Sequence, residues 1–352
     1  MASSLRRFST TTGNYRARLS GNPLERIAIN QPGMKDVLPP MLAPDLRWLL
    51  KTKGPQPLRC MKTGKPLVPK PYMKIEHVRD MNFDVLPGFV TSSRDARLID
   101  IAEENDCLFA ASTSSMTSVL SHMYYALSHH RELELSRLSS DFNSLSSRFT
   151  IQSRKAASIL LRKRGSVYGI DSFPSAAQSG SRVLMDLGKA LECKLTMSPE
   201  EYADRVLNSS LQQPALPEAY AFTKVGKLLV RSQLDCRDDR GEMFDLKTRA
   251  VLAIRHNVNT YEEHLHYVLN DITGEFNSYE REWYDMARTV LMKYSFQVRL
   301  GRMTGVFVAY HNTNQIFGME YVPIASMDQI LFGSYASLHL TSSYLYLFCM
   351  LK

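Results

Sequence analysis

The stretch RSQLDCRDDRGEMFDLKTRAVLAIR, residues 231–255, holds two apolar runs on either side of a DDRG turn. Side chains alternate along a strand, so in MFDLK Phe244 and Leu246 face one way and Asp245 and Lys247 the other. The preceding run ends at Asp235, and a hairpin through DDRG would return the chain beside it. Two carboxylates suit a hard divalent cation, Mg²⁺ or Mn²⁺. A lysine beside them could position or activate a water, or stabilise charge on a phosphate. Taken alone, D-x9-D-x-K is a weak pattern that an ion-paired hairpin explains better, so the surroundings must decide.

Upstream, RVLMDLGKALECKLT (182–196) reads as a helix with Leu184, Leu187, Gly188, Leu191 and Leu195 inward. Glu192 projects from that apolar face or its edge, a costly place for a carboxylate unless it is paired or binds a metal. AYAFTKVG (219–226) and KLLVRSQLD (227–235) read as strands, YEREWYDMARTVLMKYSFQVRLGR (279–302) as a helix, and GVFVAYH (305–311) with IFGMEYV (316–322) as a hairpin. Helix, three strands, helix, two strands is an α/β (α+β) order, a mixed sheet flanked by helices.

Earlier in the chain, STSSMTSVLSHMYYALS (112–128) is a Ser/Thr-capped helix. Its hydroxyl-rich start can hold a phosphate, although an ordinary cap explains it as well. ASILLRKRGSVYGIDS (157–172) reads as two strands about a basic turn. Residues 148–189 carry eight basic groups against two acids, which makes Arg154, Lys155, Arg162, Lys163 and Arg164 candidate contacts to a nucleic-acid backbone.

Composition limits the rest. Residues 1–74 hold fourteen Lys/Arg and three Asp/Glu, a net +11 out of +8 overall, so the remainder carries −3 and any nucleic-acid contact there must be local. Residues 1–24 contain four arginines, many Ser/Thr and no acid, the composition of a mitochondrial transit peptide. Ten of the sixteen prolines fall in 21–74, so residues 25–74 are expected to be a basic, mostly extended lead-in. The five cysteines are scattered without a C-x-x-C pair, which argues against a disulfide framework and a structural zinc. No apolar run approaches the ~20 residues that span a bilayer.

A wider resemblance rests on FVTSSRD, SSMTSVLSHMYYALS, SRKAASILLRKRGSVYGIDS, GKALECKLT, RSQLDCRDDRGEMFDLKTRAV, SYEREWYDMARTVLMKYSFQVRLGRM and VFVAYHNTNQIFGMEYV. These segments, in this order over residues 75–330, resemble the fungal mitochondrial RNA-processing family Pet one-twenty-seven, within the PD-(D/E)XK nuclease superfamily. The resemblance implies an αβββαβ core presenting Glu192, Asp235, Asp245 and Lys247 together, with Glu192, Asp235 and Asp245 as ligands of Mg²⁺ or Mn²⁺. Leu234 stands where the eponymous motif has proline. The helix after the acids adds Gln297 and Arg299 to the RNA-binding candidates. The family implies RNA 5′-end processing and 5′-to-3′ degradation in the mitochondrial matrix, association with the inner membrane, and protein partners in RNA processing or transcription. A non-catalytic RNA-binding adaptor on the same fold is the rival class. After SMDQILFG the chain departs from the family pattern, so residues 331–352 are expected to be an atypical, truncated end.

Overall fold

The computed structural model of the chain describes residues 37–173, 182–208 and 214–333, with the backbone of 25–27. The leader expected over 1–24 and the end over 334–352 lie outside the described residues.

The strands form two mixed sheets. The first runs in the order β1 (Glu25–Ile27), β6 (Ala219–Val225), β7 (Leu228–Leu234), β3 (Phe109–Ser112), β5 (Val167–Ser172) and β4 (Ile159–Arg164). β3 is parallel to both of its neighbours, and the other pairs are antiparallel. The second runs β2 (Gln56–Pro57), β11 (Ile316–Pro323), β10 (Gly305–His311), β9 (Met243–Ala250) and β8 (Cys236–Arg237), with only β9 and β10 parallel. The α+β class and the helix–strands–helix–strands order are as the sequence indicates.

Six helices matter to the site: α1 (Ala96–Glu104), α2 (Thr113–Leu127), α3 (Arg182–Thr196), α4 (Tyr279–Thr289), α5 (Leu291–Leu300) and α6 (Ile324–Phe332). α2 starts where β3 ends because Ser112 and Ser115 cap each other's backbone N–H groups. α2, α5 and α6 pack with β7 and β10 through residues such as Leu120, Phe296, Leu331, Val230 and Val308. A second core lies on the opposite face of the second sheet, where Leu187, Leu191 and Leu195 of α3 meet Phe244, Leu246 and Phe307. The second sheet is therefore covered on both faces. Gly188 lets α3 approach closely, since a Cβ there would stand 3.2 Å from the Thr248 hydroxyl.

Three features differ from the expected picture. β7 and β9 do not form one hairpin: β7 belongs to the first sheet, and only the two residues of β8 pair with β9. The chain changes sheet at Asp235. The helix expected over 279–302 breaks at Val290, which has φ −120° and ψ −15°. Two β-branched residues meet there, and the Thr289 hydroxyl donates back to the Asp285 carbonyl. The proline-rich lead-in is packed rather than detached. Its Leu42, Leu46, Leu49 and Leu58 are fully buried in the second core, and β2 adds an edge strand.

β5 also passes directly beneath the turn Ser92–Arg94. A Cβ on Gly169 would lie 2.6 Å from Ser93 Cα and 2.9 Å from its nitrogen. The turn is held there by Asp171, which accepts from Ser93 N at 3.0 Å and Ser93 Oγ at 2.6 Å. Gly169→Ala should push this segment off the strand and cost about 1–3 kcal/mol, read as a lower midpoint in a thermal melt. An unchanged midpoint would show that the turn does not rest on β5 in solution.

Candidate active site

The odd-numbered side chains of β7 and β9 build the site. Arg231, Gln233 and Asp235 follow one another along the first strand's outward face, and Asp245 and Lys247 share the face of β9 that meets α5. Asp235 is fixed at the sheet junction, where its Oδ2 accepts the Leu246 N–H at 3.1 Å. Lys247 Nζ stands 2.7 Å from Asp245 Oδ2 and 3.7 Å from Asp235 Oδ2, and donates to the Leu246 carbonyl at 3.0 Å. From α5, Gln297 Nε2 donates to Asp245 Oδ1 at 2.6 Å. Tyr294, one turn earlier, places its ring 5.8 Å from Lys247 Nζ.

Asp245 is fully buried. Among the described residues its Oδ2 meets the Lys247 ammonium at 2.7 Å as an ion pair and has no further hydrogen-bond donor. Burial and the Asp235 charge hold the Asp245 carboxyl well above the usual range, against the pull of Lys247. Glu192, on α3, is raised in the same way by burial, Asp235 and Asp245, with Lys247 and Lys189 opposing. Burial would lower the Lys247 pKa, but Asp245, Asp235 and Glu192 outweigh it and hold the ammonium charged. Two aspartates thus share one partly buried lysine, with Glu192 close enough to feel its charge. Among the described residues, no three acidic, His or Cys side chains stand close enough to hold an ion as they are.

The acids open onto a cleft made of two adjoining cavities. One, of about 270 Å³, has Glu192, Asp235 and Cys193 in its wall. The other, of about 140 Å³, is lined by Ser112, Thr113, Arg231 and Gln297. Lys189, Glu218 and Gln233 belong to both. A larger cavity of about 460 Å³ lies by the β8–β9 turn, between Trp48 and Tyr321, and touches none of these carboxylates.

The expected nucleic-acid contacts divide. Gln297 is at the site, bound to Asp245. Arg299 is on α5 but is ion-paired with Asp328 of α6. Arg154 lies by Tyr125, twelve residues along α2 from Thr113 and so about 18 Å from its start at 1.5 Å per residue. Lys155 follows it on the surface. In the β4–β5 hairpin Ile159, not the basic turn, pairs with Ser172 at the end of β5 nearest α2. Arg162 leans on Asp171 at 3.4 Å, Lys163 sits 6.0 Å from the Tyr168 ring centroid, and Arg164 donates to Ser93 O at 2.9 Å. These three are not gathered with the acids. The bases that line the cleft are Lys189 and Arg231. Arg231 is legible in retrospect, since it lies four residues before Asp235 on a strand and so on the same face.

The chain matches the family described as Mitochondrial protein Pet127 over residues 89–351. It belongs to the Pet127 family. Within it, the mRNA degradation protein pet127, mitochondrial, of Schizosaccharomyces pombe is 36% identical over 296 residues, 81% of this chain and 56% of that protein. PET127 of Saccharomyces cerevisiae, whose name refers to the mitochondrial translation system, is 36% identical over 281 residues, 76% of this chain and 34% of that protein. The chain spans about half the length, or less, of these curated Pet127 relatives. Among solved structures, K. lactis Dxo1 in complex with manganese has a TM-score of 0.42 at 10% identity, covering 88% of this chain and 68% of that one. Candida albicans Rai1 in complex with pU5-Mn2+ has a TM-score of 0.34 at 11% identity, covering 84% and 77%. Likenesses this distant say nothing of the chemistry, which rests on the residues themselves.

Proposed function

We propose that the chain hydrolyses phosphodiester bonds of mitochondrial RNA with Mg²⁺ or Mn²⁺, serving 5′-end processing and 5′-to-3′ degradation in the matrix at the inner-membrane surface. The observation that carries this reading is the convergence of Asp245, Lys247, Asp235 and Glu192 from a strand, a sheet junction and a helix at one end of an open cleft. Membership of the Pet127 family and the S. pombe relative's name support RNA as the substrate. Among the described residues no helix is long and apolar enough to cross a membrane.

The donor set fits a hard cation. All three ligating side chains offer oxygen, and a fully buried carboxylate oxygen with no donor beyond Lys247 among the described residues is a ready coordination point. Glu192, Asp235 and Asp245 would hold the ion, which when bound lowers the pKa of a water and polarises the phosphoryl oxygens. Gln297 orients Asp245. Lys247 stabilises negative charge building on the phosphate and holds the attacking water by one of its remaining N–H donors.

One observation favours the adaptor reading: Lys247 already contacts both aspartates, as in a purely structural ion pair. The two readings separate on Asp245→Asn, which keeps the shape and removes the charge. In a nuclease, Mn²⁺ affinity measured by calorimetry and cleavage of 5′-labelled RNA should fall together, cleavage by roughly a hundredfold or more. In an adaptor only the melting temperature should move. Unchanged Mn²⁺ binding by a folded Asp245→Asn protein would remove Asp245 from the metal site.

A further inference from the structure

Glu192, Asp235 and Asp245 do not line the smaller cavity of the cleft, which has the opposite character. Its floor is the start of α2, a fifteen-residue helix whose first-turn N–H groups point out of the helix end. Ser112 is used up in capping, and Ser114 shares a 2.8 Å hydrogen bond with it. Thr113 is different. It is 6% exposed, it lines the cavity, and among the described residues its hydroxyl makes no hydrogen bond. A hydroxyl of a largely buried residue that has no protein partner and opens onto a cavity beside free helix N–H groups points to a ligand that accepts hydrogen bonds.

The walls agree. Lys189 spends one of its three donors on the Pro87 carbonyl, at 2.8 Å, and keeps the others. Arg231 is held rigidly by Asp95, by the Val90 carbonyl at 3.0 Å and by the Tyr220 ring at 4.7 Å. Glu218 also reaches the cavity, but the Tyr220 hydroxyl donates to it. At about 140 Å³ the space has room for one tetrahedral oxyanion, and it is the hydrogen-bond donors in its wall that favour one. Gln297 forms part of the wall and also binds Asp245, so an occupant here sits next to the acids.

We propose that this cavity is a phosphate-binding subsite, in which Thr113, the α2 N-terminus and Lys189 take one phosphate group of the bound strand. The proposal rests on the nuclease reading and adds to it where the strand is anchored. The phosphate is either a terminal monoester or an internal diester, and both present the same oxygens to the same donors.

The test uses the full chain in EDTA, so that binding is measured without turnover. Thr113→Val removes the hydroxyl at nearly constant volume, and since that hydroxyl has no protein partner the melting temperature should hold or rise. Lys189→Gln provides a second variant. Anisotropy with short 5′-phosphorylated and 5′-hydroxyl RNAs should show binding about tenfold weaker in Thr113→Val. Loss confined to the 5′-phosphorylated RNA identifies a terminal phosphate, whereas equal loss with both identifies an internal one; either supports the subsite. If both folded variants bind both RNAs as the parent does, the subsite is wrong even if metal-dependent cleavage is intact. Conversely, tenfold weaker binding by Thr113→Val, together with a parent protein that never cleaves RNA, overturns the nuclease reading and keeps the subsite.

Discussion

Lys247→Ala should abolish RNA cleavage, lower the melting temperature of the metal-free protein, and allow Mn²⁺ to restore that temperature. The three effects have one cause. In the parent protein the ammonium is the counter-charge of two nearly or fully buried aspartates, 2.7 and 3.7 Å away, with Glu192 close behind. Removing one partner of a buried ion pair leaves uncompensated charge, which typically costs 3–5 kcal/mol. The carboxylates can escape part of that cost by taking up protons, so the loss should be smaller in acid than at neutral pH. A divalent ion supplies the missing charge, and the stabilisation should grow with its concentration as for any ligand of the native state. Cleavage does not return with it, because the group that served the water and the phosphate is gone; a fall of roughly 10²–10⁴ is expected. Metal-dependent cleavage at the parent rate in Lys247→Ala would reduce the lysine to a structural counter-ion.

The other large effect is expected far from the acids, at the opposite end of β9. Glu282 of α4 is 1% exposed and receives Arg249 Nε at 2.9 Å, Arg255 Nη1 at 2.5 Å and the Leu252 N–H at 2.6 Å. It ties the end of the strand carrying Asp245 and Lys247 to the helix packed behind it. Among the described residues, Glu282→Gln leaves two largely buried guanidiniums with Asp285, 3.7 Å from Arg255, for compensation. The expected cost is again about 3–5 kcal/mol, which is a large part of the stability of an ordinary domain. Burial alone would raise the Glu282 pKa, but Arg249 and Arg255 overcome it and hold the carboxyl below its ordinary 4.5. A depressed carboxylate contributes its full stability above the unfolded value and loses it as the pH falls through the folded one. The parent should therefore weaken in acid below about pH 4.5 through this group, and Glu282→Gln should lack that component. Chemical denaturation at pH 7 and pH 4 measures both. A Gln variant as stable as the parent at pH 7 would show that the guanidiniums find other partners.

Faces were legible in the sequence; partners were not. Alternation put Asp245 and Lys247 opposite Phe244 and Leu246, and the structure has them so, with the apolar pair against α3. Helical periodicity placed Glu192 at the edge of an apolar face, where it does lie near the aspartates. What alternation cannot say is which strand a strand will pair with, since pairing is settled by the rest of the chain. Hence the change of sheet at Asp235, which leaves β8 only two residues, was invisible. The basic run misled for a related reason. Arg162, Lys163 and Arg164 are clustered in sequence, but their hairpin turns its tip away from the cleft, and the bases lining it come singly from α3 and β7.

The way the second sheet is closed has a consequence in time. Asp245 pairs in register with Val306 and is held by Gln297, 52 residues further on, while the face beneath it is covered by Leu42 and Leu46. These groups come from both ends of a span of more than 260 residues, Leu42 to Val306. Until Gln297 and then Val306 have been made, Asp245 lacks first its glutamine tether and then its neighbouring strand. Joining such distant pieces requires long loops to close first, and topologies of this kind reach their native state slowly. The surroundings of Asp245 are therefore assembled late, once strands and helices far apart in the sequence have met.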